Sequence, residues 1–416
     1  MILSIRIDNF KTFNMPIELS MEADKKSKKF FNNYVEYSNI NVLKSVGVYG
    51  KNNVGKSCLI DAVKSIKNVL LNRRTIMQSN IFVSSPIVCL GVSFIAENVG
   101  YSLDFKYNTI KKQFIYERYE TFDTEQRKSK VILLKDCEKN EYKCEDKNAI
   151  SILPNLSNDN IILYTMNTDK FKYIKSVKDI FTDFAKKISI VSMIDIPIEQ
   201  TIEDMKRKGD IAKDIANFIK NADLEISDFE YNDKIINEVL EEIKNGDVKP
   251  NEKIFDNPKL LEQLKLIAYH KDTAVPFMLF DSTGTKKIAS IASYILHNIK
   301  DGGTLFIDEL DSGLHFKLSR AIVAMYNNAS NTKGQLIFTT HDINLMDCKK
   351  LLRKEQIWFA DKDDKSTYLY SLNDFKARDG VRGDSGEMSE YYKKGVFSNL
   401  PDPDLVNWLM EVNGEK

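Results

Sequence analysis

Alternating hydrophobic and polar positions in the first third of the chain predict short β-strands. Residues 3–7 and 17–19 show this alternation on either side of a turn-like stretch. Beyond residue 80 the period returns in segments divided by turn residues, which predicts an antiparallel meander. The apolar run 81–96 contains Pro86 and Gly91, so it predicts two short strands and is too short for a membrane span. The strands of the predicted meander are 88–96, 101–107, 113–119 and 131–135.

Apolar residues three and four positions apart predict helices in the middle of the chain. One apolar helix face lies within 211–219 and another within 235–243, and a loop-rich stretch over 245–258 interrupts the region. The first face consists of Ile211, Ile215, Phe218 and Ile219. From residue 273 onward, short apolar strands alternate with helices again.

These patterns divide the chain into three parts. An α/β lobe over 1–170 carries the antiparallel strands, a helical insertion covers 171–270, and a second α/β lobe covers 271–416. The predicted fold class is α/β, with antiparallel and parallel sheets and a helical insertion.

The stretch between the first strands and the meander carries a phosphate-binding motif. Residues 50–57, GKNNVGKS, fit the pattern G-x-x-x-x-G-K-[ST], between an apolar strand predicted over 41–49 and a helix predicted over 56–72. Its glycines let backbone amides turn toward an anion at a helix N-terminus. We expect Lys56 to reach the β- and γ-phosphates of ATP and Ser57 to hold Mg²⁺. The predicted nucleotide-binding residues are Gly50, Asn52, Asn53, Gly55, Lys56, Ser57 and Cys58.

Two later strands end in residues that suit nucleotide chemistry. The apolar segment 303–309 ends in Asp308 and Glu309, and a buried parallel strand delivers such residues to the ligand-binding edge of a sheet. Asp308 is then placed to hold Mg²⁺, and Glu309 to act as general base toward the attacking water. The segment 335–341 ends in His341, which could contact the γ-phosphate. For an isolated histidine, a structural hydrogen bond at a strand end would be the preferred interpretation.

Composition limits the partners and the compartment. The 60 Lys and Arg residues balance 60 Asp and Glu residues, so no global charge favours nucleic acid or membrane, although a local basic groove stays open. The five cysteines are scattered and the four histidines do not cluster, which indicates neither a disulfide framework nor a zinc site. The N-terminus lacks the plan of a signal peptide. We expect a cytoplasmic protein.

The order of these motifs resembles that of an ABC-type ATPase head over nearly the full chain. In that class a signature element opens a helix before the acidic strand, and here FDSTGTKK at 280–287 precedes an apolar helical pattern, with Ser282 as the predicted N-cap. The family's signature contacts the γ-phosphate of ATP held by the other subunit. The resemblance therefore implies that Ser282, Gly284 and Thr285 bind nucleotide and that two chains sandwich two ATP molecules. A capped helix without further role is the alternative.

The chain departs from the transporter pattern in its signature and in its D-loop. The signature is S-T-G-T, and the pair Leu314-His315 stands where the D-loop has Leu-Asp. No glutamine is assigned to the Q-loop, since Gln78 and Gln113 are candidates without support. Phe10 and Phe13 could pack in the hydrophobic core or line the nucleotide pocket, and the core is favoured. The departures at the signature and the D-loop lead away from transporters.

Further motifs narrow the resemblance to bacterial ATPases labelled "AAA family" in anti-phage and abortive-infection loci. DELD-x-x-LH and QLIFTTHD are followed by LLR-x-x-QIWF, YSL-x-DF and Y-x-x-G-x-F. The chain is similar to the restriction-locus-associated ATPases and to the ATPase of PARIS-type systems. This resemblance implies a nucleotide-driven switch that controls an effector encoded nearby, often a nuclease or toxin. Whether nucleic acid binds is left open.

Two other functions share the nucleotide motifs. A DNA-repair or chromosome-maintenance ATPase of the RecF/SMC type is one, although the helical region lacks the sustained heptads of a long coiled coil. An ATP-dependent scaffold that holds a toxic partner is the other, and it differs in whether hydrolysis matters. A transporter subunit has the weakest support.

Overall fold

The computed structural model describes residues 1–27, 29–167, 170–222, 225–234, 257–375 and 388–397. Two large sheets organise these residues, one antiparallel and one mostly parallel. The strands are β1 (Ile2–Asp8), β2 (Ile17–Ser20), β3 (Tyr34–Tyr37), β4 (Ile40–Leu43), β5 (Ser45–Tyr49), β6 (Ile87–Ala96), β7 (Val99–Asn108), β8 (Gln113–Asp123), β9 (Ser129–Asp136), β10 (Glu141–Cys144), β11 (Ile188–Ser192), β12 (Asp228–Tyr231), β13 (Leu266–His270), β14 (Thr273–Pro276), β15 (Gly303–Asp308), β16 (Gly334–Thr340), β17 (Ile357–Lys362) and β18 (Thr367–Ser371).

The α-helices lie between and beside these strands. They are α1 (Lys56–Leu70), α2 (Lys147–Ile150), α3 (Ile162–Thr165), α4 (Lys172–Lys186), α5 (Glu199–Arg207), α6 (Asp210–Asn221), α7 (Pro258–Leu264), α8 (Phe277–Phe280), α9 (Thr283–Asp301), α10 (Phe316–Tyr326) and α11 (Met388–Lys393). Within the described ranges, none of these helices is long and apolar enough to cross a membrane.

The antiparallel sheet has seven strands in the order β10-β9-β8-β7-β6-β1-β2, which confirms the predicted meander. Its inner face packs on helices α1 and α4 in one hydrophobic core. Phe94 of β6 stacks on Phe184 of α4 with ring centroids 3.8 Å apart, and Phe181 meets it edge-on at 5.2 Å. Phe10 and Phe13 are fully buried in the same core, as favoured from the sequence.

The second sheet has six strands in the order β11-β15-β16-β5-β17-β18. All neighbours are parallel except the pair β17 and β18. Strand β5 is buried along its whole length, and its near-continuous apolar residues are typical of a strand covered on both faces. Because parallel strands end at one edge, the segments after β5, β15 and β16 meet there. The predicted α/β fold class, with parallel and antiparallel sheets around the phosphate-binding loop, is confirmed.

Two predictions about strands in the first lobe are wrong. The segment 41–49 is two strands, because β4 pairs with β3 whereas β5 enters the parallel sheet. Lys44 lies at the break, and its ε-ammonium donates to the carbonyl of Asn328 at 3.0 Å. The run 81–96 holds a single strand, β6, which Gly91 does not interrupt because β1 and β7 pair with it on both sides. Ile81 lies before that strand and is exposed.

The segment predicted as a helical insertion contains strands as well as helices. Helix α4 packs in the core of the antiparallel sheet, and β11 is the edge strand of the parallel sheet beside β15. Beyond them, α5 and α6 pack on α9 and on the three-stranded sheet β12-β13-β14. The predicted face of α6 is buried at Ile215 and Ile219. The face predicted within 235–243 and most of the loop at 245–258 lie outside the described residues.

The tail motif packs on the parallel sheet. Phe359 of β17 stacks on Phe397 and Tyr392, with ring centroids 4.9 Å and 5.7 Å apart. Tyr370 of β18 and Phe375 join the same aromatic group. These residues close one end of the core between the sheet and helices α9 and α10.

Candidate functional site

The phosphate-binding loop leaves the buried end of β5 and leads directly into α1. Gly55 has a φ of 95° and is the N-cap of that helix. A Cβ atom at this position would lie 2.6 Å from Oγ1 of Thr367 and even closer to Oγ1 of Thr12, so the loop has room only for glycine. The hydroxyl of Thr12 is buried and has no hydrogen-bond partner in the part of the chain that the structure describes.

Lys56 is the first residue of α1, and its side chain folds back over the loop. Its Nζ donates to the carbonyls of Gly50 at 2.8 Å and Lys51 at 2.9 Å, and it lies 3.0 Å from Nε2 of His341. Only 7% of the residue is exposed. Burial lowers the pKa of Lys56 to about 8, although nearby carboxylates, Asp308 among them, raise it in part.

Three of the other predicted loop residues are exposed to solvent. Asn52, Asn53 and Ser57 are exposed, and Asn53 has a left-handed backbone with a φ of 64°. The amide of Cys58 donates to the carbonyl of Gly55 at 3.0 Å in the first turn of the helix. The exposed amides and the Ser57 hydroxyl leave the mouth of the loop open to solvent.

The acidic end of β15 is held by a threonine of the next strand. Oγ1 of Thr339 donates to Oδ1 of Asp308 at 2.5 Å and accepts from the amide of Glu309 at 2.8 Å. Thr339 is buried, whereas both acidic residues are partly exposed. Glu309 has a φ of 56°, which is uncommon for a residue with a side chain. The strand end is therefore turned sharply toward the edge of the sheet.

His341 follows β16 at the same edge, and the side chain of Asp311 binds its backbone amide. The amide of His341 donates to both carboxylate oxygens of Asp311, at 3.2 Å and 3.3 Å. Desolvation first, and the ammonium of Lys56 second, lower the pKa of His341 from its ordinary value. A neutral imidazole at neutral pH can accept a hydrogen bond from Lys56 or donate one to a phosphate.

The predicted signature residues begin helix α9 as expected. Ser282 is its N-cap, and its Oγ accepts from the amide of Thr285 at 3.2 Å. A Cβ atom on Gly284 would lie 2.7 Å from the carbonyl oxygen of Gly313, so α9 packs closely against the loop after β15. Among the described residues no hydrogen bond joins Ser282, Gly284 or Thr285 to the phosphate-binding loop of the same chain. The start of α9 therefore lies against the loop between β15 and α10, residues 309–315, which we call the acidic loop.

The position of the missing D-loop aspartate also has a structural role. His315 is the N-cap of α10, and its Nδ1 accepts from the amide of Lys317 at 3.3 Å. Gln113 begins β8 and the carbonyl of Gln78 accepts from the amide of Lys11, so neither contact connects a glutamine side chain to the site.

Sequence reasoning missed Thr339, Asp311 and Lys287. Thr339 lies one residue inside the end of its strand, and only the parallel register of β15 with β16 makes it the neighbour of Asp308. Asp311 lay within the DELD motif, but its contact with the amide of His341 depends on a turn. Lys287 lies in the signature stretch next to another lysine, and its burial, at 7% exposed, is a tertiary effect that the sequence does not reveal.

The residues present fit a nucleotide and Mg²⁺. A glycine cradle, an ammonium group and the N-terminus of α1 suit a phosphate chain, and the unpartnered hydroxyl of Thr12 lies against that cradle. The hydroxyl of Ser57 and the carboxylate of Asp308 are oxygen donors of the kind Mg²⁺ takes, alongside water and phosphate. No cluster of three or more His, Cys, Asp or Glu side chains suited to a metal occurs in the described ranges.

One protein-family profile matches more than half of the chain. It is described as "AAA domain, putative AbiEii toxin, Type IV TA system" and covers residues 45–347, from the start of β5 to beyond His341. The matched residues include the phosphate-binding loop, the signature helix and both strand ends.

Other similarities are short or loose. Two curated relatives, each called "Rqc2 homolog RqcH" and found in two strains of Streptococcus pneumoniae, are 32% identical over 57 residues. That match covers 14% of this chain and 10% of theirs, so the chain spans about a tenth of the length of these relatives.

Two solved structures resemble the chain over most of its length. The SMC head domain from Thermotoga maritima is 12% identical, with a TM-score of 0.43, over 89% of this chain and 98% of that one. An SmcHead bound to the C-winged helix domain of ScpA is 14% identical, with a TM-score of 0.46, over 91% and 99% of the two chains. Similarity of this degree does not establish a common function.

Proposed function

This chain belongs to that family of AAA domains, and on this premise we propose that it binds and hydrolyses ATP as a nucleotide-driven switch. One observation carries the proposal. The loop after β5, the acidic end of β15 and His341 after β16 meet at one edge of the parallel sheet. An ammonium group, two carboxylates and an imidazole at one sheet edge are groups that suit phosphoryl transfer to water.

Nucleotide binding would begin with a change of partners at Lys56. Its ammonium donates to the carbonyls of Gly50 and Lys51, and the oxygens of a phosphate chain in the loop would compete with these carbonyls for the ammonium. The charge of a phosphate would favour the protonated amine, whose pKa burial has lowered to about 8. Ser57 and Asp308 would hold Mg²⁺, which neutralises charge on the phosphate oxygens when bound.

Hydrolysis would depend on Glu309 and His341. The carboxylate of Glu309 would take a proton from the attacking water, and Thr339 fixes its backbone by accepting from its amide. His341 would contact the γ-phosphate through the ring nitrogen that now faces Lys56. Release of the phosphate would let Lys56 and His341 return to each other, which gives the site two distinct arrangements.

The switch would operate between two copies of the chain. The N-terminus of α9, with Ser282 as its cap and no acidic residue in its first turn, is a suitable site for a phosphate held by a second copy. Two γ-phosphates across such an interface would favour the closed dimer, and hydrolysis would remove that preference. We propose further that the closed and open states control an effector, a nuclease or toxin, in a bacterial anti-phage system. The family's toxin–antitoxin description supports this.

ATP turnover by three proteins tests the proposal. Wild type should release phosphate from ATP in the presence of Mg²⁺, and Lys56→Ala should lose both turnover and nucleotide binding. Glu309→Gln should keep nucleotide binding but lose turnover by about 100-fold or more, because it removes the general base. Equal turnover in wild type and Lys56→Ala would contradict an ATPase site at this loop.

The same variants test control of a partner. In Glu309→Gln with ATP, the product of the neighbouring gene should stay either bound or free, according to which state of the partner the closed dimer favours. In wild type, which hydrolyses ATP, the partner should alternate between the bound and the free state. Partner binding that ignores nucleotide in all three proteins would contradict the switch and support an ATP-dependent scaffold.

A further inference from the structure

A buried lysine joins the signature helix to the loop that carries the acidic residues. Lys287 lies in the second turn of α9, and its Nζ donates to both the carbonyl oxygen and Oγ of Ser312, each at 3.1 Å. Lys287 is 7% exposed, whereas the adjacent Lys286 is half-buried and makes no side-chain contact of this kind within the described residues. The lysine therefore spans from one element of the site to the other.

Lys287 is buried without an anionic partner among the described residues. Its ammonium lies in no ion pair with a carboxylate of the described residues, and both of its acceptors are neutral. A buried cation without an anionic partner opposes folding, and its position near a helix N-terminus adds an unfavourable term. The two hydrogen bonds to Ser312 therefore link α9 to the turn without the gain of an ion pair.

A short series of contacts leads from Lys287 to Glu309. The amide of Ser312 donates to the carbonyl of Glu309 at 2.8 Å and closes a turn on it. Glu309 has a left-handed backbone within that turn, a conformation that its neighbours must hold in place. Lys287 donates two hydrogen bonds to Ser312 at the other end of this turn.

The same turn also reaches His341 and the start of α9. Asp311, the residue before Ser312, accepts from the amide of His341. On the other side, the backbone of Gly313 touches α9 at Gly284, where a side chain would not fit. The start of α9, the turn and the two strand ends thus form one continuous set of packed groups.

We propose that Lys287 is a positioning residue that makes Glu309 respond to a phosphate bound at the N-terminus of α9 in the same chain. This rests on the proposed function, in which that phosphate belongs to ATP held by a second copy. A phosphate at Ser282 and Gly284 draws the start of α9 toward the partner, and Lys287 transmits this shift to Ser312. The turn then sets the carboxylate of Glu309 in its own site, so each site hydrolyses only when its chain is also engaged with the other.

The test compares Lys287→Met with wild type in two measurements, the affinity for ATP and the turnover number. The variant should bind ATP within about twofold of wild type, because Lys287 does not contact the phosphate-binding loop of its own chain. Its turnover number should fall at least tenfold, and the dependence of turnover on ATP concentration should lose any sigmoidal character. Lys287→Arg should recover part of the turnover, because it can still donate to Ser312.

Matched variants separate positioning from general damage. Lys286→Met removes the same charge from the same stretch of helix and should retain wild-type turnover and affinity. Ser312→Ala removes only the hydroxyl acceptor and should give an intermediate turnover. It replaces Lys287→Met as the test if that variant does not fold. Lys287→Met or Ser312→Ala that melts like wild type and turns over ATP like wild type would overturn the proposal.

Failure of this inference can be told from failure of the proposed function. If wild type hydrolyses ATP and Glu309→Gln does not, the ATPase proposal stands whatever Lys287 does. An unaltered turnover number in Lys287→Met then removes the positioning role alone. A loss of ATP affinity equal to the loss of turnover would also overturn it, because the lysine would then act in binding and not in positioning.

Discussion

At the scale of single residues, Thr339 holds the acidic end of the candidate site together. One hydroxyl donates to Asp308 and accepts from the amide of Glu309, so a single oxygen orients the proposed metal ligand and the backbone of the proposed base. Both groups are only partly exposed, and without that oxygen the amide of Glu309 would lose its acceptor.

Thr339→Val tests this role with almost no change in side-chain volume. Loss of the two hydrogen bonds should lower the free energy of unfolding by about 1–2 kcal/mol. ATP turnover should fall at least tenfold, which corresponds to about 1.4 kcal/mol of transition-state stabilisation. Phosphate release and urea denaturation measure the two effects.

Thr304→Val provides the matched control. Thr304 is also a buried threonine, at the opposite end of the same pair of strands, and its Oγ1 donates to Gln335 at 2.8 Å. This variant should lose stability of a similar size but keep its turnover. Full turnover in Thr339→Val would show that Asp308 and Glu309 need no such support.

What could be predicted for single residues depended on whether their role was local. The loop residues follow from chain neighbours alone, since Gly55, Lys56 and Ser57 act through one turn and one helix start. The contacts of Thr339, Asp311 and Lys287 join segments that only the folded sheet brings together. No local pattern carries that information.

At the scale of elements, a buried carboxyl group joins the antiparallel sheet to the short helix α3. Glu117 of β8 accepts from the hydroxyl of Tyr119 and from the amide of Ile162, each at 2.9 Å. Glu117 is 1% exposed. Burial raises the pKa of Glu117 to about 7, although the bonds from Ile162 and Tyr119 lower it in part. The start of α3 therefore depends on a group that titrates near neutral pH.

This raised pKa gives the fold a pH dependence of known sign. Below pH 4.5 Glu117 is protonated in both states, whereas between 4.5 and about 7 the folded protein binds more protons than the unfolded chain. The stability contributed by Glu117 is therefore lost as pH rises through about 7, by up to about 3 kcal/mol.

Glu117→Gln should remove this dependence. Relative to wild type, the variant should gain stability when the pH of a denaturation experiment is raised from 5 to 8, because its amide does not ionise. Glu36→Gln, at an exposed position of β3, should show the same difference from wild type at both pH values. If the stability difference between Glu117→Gln and wild type were the same at pH 5 and pH 8, a buried titrating carboxyl group at Glu117 would be contradicted.

Element types were predictable wherever one face of a segment is buried by its immediate partners. The meander and helices α1, α6 and α9 follow from the period of their apolar residues. Segment 41–49 was misjudged because two different sheets take its two halves, a fact that no window of apolar residues contains. Strand β11 was missed for a similar reason, since it completes a sheet whose other strands lie far away in sequence.

At the scale of the whole molecule, the proposed switch needs two chains. The signature residues begin α9, which packs against the acidic loop at Gly284, and they make no hydrogen bond to their own phosphate-binding loop within the described ranges. In the proposed switch a single chain would offer two half-sites, one with Lys56 and one with the start of α9. An ATP molecule that bridges the half-sites of two copies would give the difference in affinity that a switch needs.

The most direct test is the mass of Glu309→Gln in solution by light scattering, with Mg²⁺ and either ATP or ADP. This variant should have the mass of two chains with ATP and of one chain with ADP, because the uncleaved γ-phosphate would hold the half-sites together. Gly284→Val, added to Glu309→Gln, would clash with Gly313 of the same chain and displace the start of α9. The double variant should therefore remain a single chain with ATP bound. A single-chain mass for Glu309→Gln while ATP is bound, or two chains regardless of nucleotide, would contradict an ATP-driven switch.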